Sequence, residues 1–83
     1  MAKVIMYTRV PCPYCVSAKR LFSAKGIQIE EIDLTNDWDQ LDAIKEKTGW
    51  QTVPIILIDG KLIGGYDDLK ALDQAGRLDI LLK

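Results

Sequence analysis

From Lys3 to Thr8 the chain runs Lys-Val-Ile-Met-Tyr-Thr, a short, apolar, β-prone stretch that predicts a buried strand. Cys15, Ala18, Leu21, Phe22 and Lys25 then recur at helical spacing, with basic residues on the other side. Pro13 suits a first helical position, where its missing N–H is no loss, and Gly26 suits the residue just past a helix end. The spacing therefore predicts a helix from Pro13 to about Lys25. Gln28 to Leu34 reads as a second strand, its apolar spacing broken once at Glu30-Glu31. Asn36 is the expected N-cap of a second helix, with Asp39 in its first turn. Trp38, Leu41 and Ile44 form its apolar stripe, which continues to Lys47 before Gly49 closes it. Val53 to Ile58 is apolar on both faces, the pattern of a central strand. Asp59-Gly60 is a tight hairpin signal leading into Lys61-Leu62-Ile63. Gly64-Gly65 interrupts, and Asp67 or Asp68 is the expected cap of a third helix carrying Leu69, Leu72 and Ala75 and ended by Gly76. Leu78, Ile80, Leu81 and Leu82 predict a short closing helix.

The order is β-α-β-α-β-β-α. The first two strands, joined through a helix, should be parallel with a right-handed crossover, and the last two form an antiparallel hairpin. A four-stranded mixed sheet flanked by helices on both faces accommodates every element, which makes the chain an α/β protein. At 83 residues it is expected to be a single domain over residues 1–83.

Composition narrows the chemistry. The chain has no His, so imidazole bases, Ser–His–Asp triads and His metal ligands are excluded. Chemistry near neutral pH must come from thiols, carboxylates, backbone dipoles or a bound small molecule. The net charge of −1 predicts no nucleic-acid partner, yet it averages two unlike parts. Lys3, Arg9, Lys19, Arg20 and Lys25 make residues 1–29 basic with no acid at all, and all 12 acidic residues follow. The longest apolar run, Val53 to Ile58, is too short for a membrane span, and no targeting segment is visible, so a cytoplasmic protein is expected.

Cys12-Pro13-Tyr14-Cys15 falls between the first strand and the first helix. Free N–H groups at a helix start stabilise an anion, and the thiolate is the reactive form of cysteine. Arg9, three residues upstream, adds a positive charge. Cys15 lies one turn inside the helix, close enough to attack a disulfide formed at Cys12, and is expected to be less exposed and less acidic. Placement thus makes Cys12 the attacking and Cys15 the resolving thiol. Plain core cysteines, half of a zinc site, or an iron–sulfur cluster shared across a dimer are alternative uses of the same pair. In Thr52-Val53-Pro54 the residues alone favour an ordinary strand-initiating proline over a cis peptide. Gly64-Gly65-Tyr66-Asp67-Asp68 reads either as a turn with a helix cap or as a place where backbone closely approaches a ligand.

As a set, Tyr7-Thr8-Arg9, Cys12-Pro13-Tyr14-Cys15, Thr52-Val53-Pro54 and Gly64-Gly65-Tyr66-Asp67-Asp68-Leu69 resemble the glutaredoxins, in particular the small bacterial dithiol members. The resemblance implies a minimal thioredoxin fold and a glutathione–disulfide oxidoreductase. It implies that Cys12 and Cys15 are catalytic and form a redox-active disulfide. Glutathione would be the co-substrate, held by Arg9, Tyr14, Gln51, Thr52, Val53, Pro54, Gly65, Tyr66 and Asp67. Within that set Pro54 would be cis and face Cys12, and Thr52 and Val53 would pair with the cysteinyl backbone. Tyr66 and Asp67 would hold the γ-glutamyl end, and Arg9 and Gln51 the glycine carboxylate. Glutathionylated proteins and disulfide-containing proteins would be the partners of a monomer, with no metal, nucleic acid or membrane. The chain departs from the family pattern at Trp50-Gln51, where dithiol members often have a basic side chain, and at Tyr66, where Cys or Ser is common. The alternatives are a dimeric glutathione-ligated iron–sulfur cluster carrier and a thioredoxin-like protein reduced by a flavoprotein reductase.

Overall fold

Two strands with opposite duties organise the molecule. In a computed structural model, which describes residues 3–82, β1 (Val4–Thr8) and β3 (Ile55–Ile58) lie at the centre of a sheet of order β2-β1-β3-β4. β2 (Glu30–Asp33) runs parallel to β1, whereas β3 is antiparallel to β1 and β4 (Lys61–Gly64) antiparallel to β3. The helices are α1 (Pro13–Ala24), α2 (Trp38–Thr48), α3 (Tyr66–Gln74) and the short α4 (Leu78–Leu81). Among the described residues no helix is long and apolar enough to cross a membrane. The sheet, its mixed pairing and the flanking helices are the thioredoxin-type arrangement expected.

The period of two along the central strands distributes the core. Val4, Met6, Ile56 and Ile58 point to one face and pack with Ala18 and Phe22 of α1, Leu69 of α3 and Leu78 of α4. Ile55 points to the other face and packs with Leu34 and with Leu41 and Ile44 of α2, against which Tyr7, Ile32, Trp50 and Val53 also lean. A strand covered on both faces has to be apolar throughout, which is why Ile55–Ile58 has no polar position. Burying one side chain such as Phe22 or Leu41 contributes about 1.5–3 kcal/mol.

The ends of the elements differ from the sequence expectations in instructive ways. β2 is shorter than Gln28–Leu34: it is an edge strand, so Glu30, Glu31 and Asp33 reach solvent and the apolar alternation fails there. Asp37, not Asn36, caps α2, its carboxylate accepting the Gln40 N–H at 3.1 Å. Gly49 closes that helix in the left-handed region, at φ 73°. Neither Asp67 nor Asp68 is the cap of α3. Gly65 is, and Asp68 reaches back to accept the Gly65 N–H at 3.3 Å. The ladder of β3 begins at Ile55 rather than Val53, and the Val53–Pro54 peptide is cis, against the ordinary proline the residues alone favour. Val10–Pro11 is also cis. Asp59 and Gly60 both have positive φ, as the tight hairpin turn requires.

Candidate functional site

The C-terminal ends of β1 and the N-terminus of α1 bring the two cysteines to one edge of the sheet. Cys12 is the N-cap of α1, with extended backbone (φ −151°, ψ 96°), and Pro13 takes the first helical position. The cap places the Cys12 sulfur where a serine or aspartate oxygen would sit, and it accepts the Cys15 N–H at 3.2 Å. A sulfur that caps a helix receives one of the N–H groups that have no partner within the helix, and a thiolate is the form best served by it. On its other side the Cys12 thiol lies 3.8 Å from the Val53 carbonyl, immediately before the cis Pro54. The loop before it is tied down by Thr35, whose hydroxyl accepts the Val10 N–H at 2.9 Å and in turn bonds Asp33.

The two thiols are free and unlike. Cys12 is half-buried, whereas Cys15 is buried at 3% exposure. Burial, followed by the hydrogen bond to Cys12, pushes the Cys15 thiol from 9.0 up to about 12. It therefore stays protonated throughout the neutral range.

Beside Cys12 lies a cavity of about 450 Å³, built from three segments far apart in sequence. Arg9 and Tyr14 enclose it from the β1–α1 connection, Gln51, Thr52, Val53 and Pro54 from the approach to β3, and Gly65, Tyr66 and Asp67 from the start of α3. These are the nine residues singled out from sequence for a ligand. Tyr14 and Tyr66 stack across the cavity with ring centroids 6.3 Å apart. The Arg9 guanidinium lies 5.0 Å from the centroid of the Trp38 ring, a cation–π contact that fixes its position at the rim. Cys12 opens onto a second, shallower cavity of about 350 Å³, which shares Arg9 with the first and is bordered by Val10, Cys15 and Val16.

Sequence reasoning missed four wall residues: Leu41 and Lys45 of α2, Asp68, and Trp50 as a structural member. The helical stripe marked Leu41 as core and Lys45 as surface, and nothing local reveals that α2 crosses the sheet to border the cavity. Trp50 lies against Gly65, where its ring would stand 3.5–3.6 Å from a Cβ, and its buried Nε1 has no hydrogen-bond partner. Gly64 is the stricter glycine: its φ is 118°, and a Cβ there would stand 2.7 Å from the Asp68 carboxylate. The cavity wall thus carries cations at Arg9 and Lys45, anions at Asp67 and Asp68, and the N–H groups of the first turn of α3. Such a wall presents groups of both charge signs to a small polar ligand. Among the described residues no cluster of three or more Cys, Asp or Glu could hold a metal ion.

Comparison with known proteins agrees on one family. The Glutaredoxin family model matches residues 4–63. Glutaredoxin 3 of Escherichia coli K12 is 46% identical over 83 residues, covering 100% of both chains. The solution structure of glutaredoxin from Brucella melitensis superposes with a TM-score of 0.88 at 44% identity, over 100% of this chain and 90% of that one. The crystal structure of a buckwheat glutaredoxin–glutathione complex gives 0.89 at 31% identity, over 98% and 76%. With a helix-capping thiol, a buried partner one turn away and these relatives, the chain belongs to the glutaredoxin family of thiol–disulfide oxidoreductases.

Proposed function

We propose that the chain uses glutathione to reduce glutathione mixed disulfides through Cys12 alone, and protein disulfides through Cys12 and Cys15 together. The observation that carries this reading is the difference between the thiols. Cys12 is half-buried and capped by an N–H beside the cavity, and Cys15 is buried and protonated. The buckwheat relative that forms a complex with glutathione supports the choice of co-substrate.

In the first reaction the Cys12 thiolate attacks the glutathione sulfur of a mixed disulfide. The substrate sulfur leaves with the bonding pair and takes a proton, and Cys12 holds glutathione. A second glutathione thiolate attacks that glutathione sulfur, giving oxidised glutathione and free Cys12. Exchange of this kind needs a stabilised thiolate rather than a base, which suits a chain without His. In the second reaction Cys12 forms a mixed disulfide with a protein substrate, and Cys15 attacks Cys12, releasing the substrate thiol and leaving a Cys12–Cys15 disulfide. Around glutathione, the backbone of Thr52 and Val53 pairs with the cysteinyl residue beside Pro54, and Tyr14 flanks it. The Tyr66 N–H and Asp67 take the γ-glutamyl end, with Gly65 beside them. Arg9 and Gln51 meet the glycine carboxylate, where one charge-assisted hydrogen bond contributes about 1.5–3 kcal/mol. A coupled assay tests the co-substrate. Turnover supported by glutathione and glutathione reductase is expected; turnover supported only by a flavoprotein that reduces dithiols directly contradicts the reading.

A further inference from the structure

A polar cluster behind Cys15 takes no part in the glutathione cavity. Thr8, only 2% exposed, donates its hydroxyl hydrogen to Glu31 Oε2 at 2.9 Å, and Lys19 Nζ meets the same oxygen at 2.8 Å. The fold aims these groups at one another. Glu31 stands opposite Met6 in the β1–β2 ladder and Thr8 lies two residues further along β1, so both side chains project to the face covered by α1. Lys19 follows Cys15 by one helical turn, at the spacing that shares a face. Helical side chains lean toward the N-terminus, which carries Lys19 over the turn that holds Cys15. Thr8, Cys15, Lys19 and Glu31 border the same open cavity, with Cys12 at its edge.

The charged groups near Cys15 are Cys12 at the helix cap and Lys19 on α1, with Glu31 and Asp33 of β2 facing Lys19. The Arg9 backbone also touches the thiol. Burial and Cys12 hold the Cys15 proton in place, while Lys19 acts in the opposite direction. Once Cys12 is tied up in a mixed disulfide its own charge is gone, and Lys19 is the side-chain cation acting on Cys15.

We propose that Lys19, anchored by Glu31, is the positioning residue that activates Cys15 for the resolving step. The proposal rests on the division of labour between Cys12 and Cys15 given above. In that step the Cys15 thiol gives its proton to water in the open cavity and its sulfur attacks the Cys12 sulfur. The bond from Cys12 to the substrate sulfur breaks, its electron pair leaves on that sulfur, and the released thiolate takes up a proton. Over the two attacks, by Cys12 and then by Cys15, two cysteines are oxidised to one disulfide and one substrate disulfide is reduced to two thiols. The Lys19 ammonium stabilises the transient Cys15 anion, and Glu31 keeps the long side chain from swinging into solvent.

A stopped-flow single turnover with the chromogenic aromatic disulfide dithiobis(nitrobenzoate) separates the two thiols without glutathione. Attack by Cys12 releases one coloured thiolate and attack by Cys15 releases the second. Lys19→Met is expected to slow the second phase about fivefold at pH 7 and to move its pH profile upward by about 0.7 unit, the same effect expressed as acidity. The first phase should stay within about twofold of wild type, since Cys12 precedes Lys19 by seven residues, about two helical turns, whereas Cys15 precedes it by one. Lys19→Arg should restore the second phase, and in Cys15→Ser that phase should be missing with or without Lys19→Met. A second phase of unchanged rate and pH profile in a folded Lys19→Met protein overturns the role of Lys19. An equal slowing of both phases overturns it as well. Absence of the second phase in wild type overturns the division of labour and this proposal with it, leaving the glutathione-coupled turnover to judge the rest.

Discussion

The sheet face under α1 and α3 gathers nine buried core residues among those described, and the face under α2 gathers four. The richer face carries the buried Cys15 and the helix that Cys12 caps. The poorer face frays at its margin into Leu41, Trp50 and Val53, and there the core turns into the wall of a cavity. One side therefore anchors the helix that carries the thiols, while the other leaves room beside them for a ligand. The chemistry sits on the seam: Cys12 caps a helix of the first face and reaches toward the Val53 carbonyl of the second.

Truncating each face separates the two duties. Phe22→Ala is expected to cost about 3–5 kcal/mol in urea unfolding and to leave the KM for a glutathione mixed disulfide unchanged, because Phe22 does not line the cavity beside Cys12. Leu41→Ala should cost somewhat less, about 2–4 kcal/mol, and should raise that KM as well, because Leu41 serves both core and cavity. Equal effects of the two on KM would break the comparison. Gly64→Ala comes next, at about 1–3 kcal/mol. The left-handed backbone and the close Asp68 carboxylate both resist a Cβ, and losing the Asp68–Gly65 bond should disturb the start of α3 and weaken ligand binding. Gly65→Ala, which meets only ordinary contacts, should be milder.

A separate effect, confined to alkaline solution, concerns pH. The folded state holds the Cys15 proton up to about 12, chiefly through burial, whereas the unfolded chain releases it near 9.0. The raised pKa therefore contributes stability that is intact below pH 9 and is lost as pH rises toward 12. Wild-type stability should fall more steeply over that range than that of Cys15→Ser. Parallel curves would place Cys15 in a wetter environment than the richer face provides.

Much of this arrangement is legible in the sequence because it depends on local rules. The two-sided apolar run Ile55–Ile58 marks a central strand, Asp59-Gly60 a tight hairpin, and Gly49 a helix end. Cysteines three apart at a helix start mark the thiol site. What local rules miss is set at long range or by the backbone alone. Gly65 caps α3 without a side chain, so the acids that follow it look like better candidates. Lys45 and Leu41 reach the cavity only because α2 crosses the sheet, and Arg9 meets Trp38 through the same crossing. The cis peptides before Pro11 and Pro54 depend on packing that no dipeptide encodes.

The half-buried thiol on the seam is thus assigned the glutathione chemistry, and the buried one only the resolving step. The decisive measurement is turnover of a glutathione mixed disulfide and of a protein disulfide by wild type, Cys12→Ser and Cys15→Ser. Cys12→Ser is expected to lose both activities, while Cys15→Ser keeps the first and loses the second. Loss of both in a folded Cys15→Ser protein, or survival of either in Cys12→Ser, would contradict that assignment.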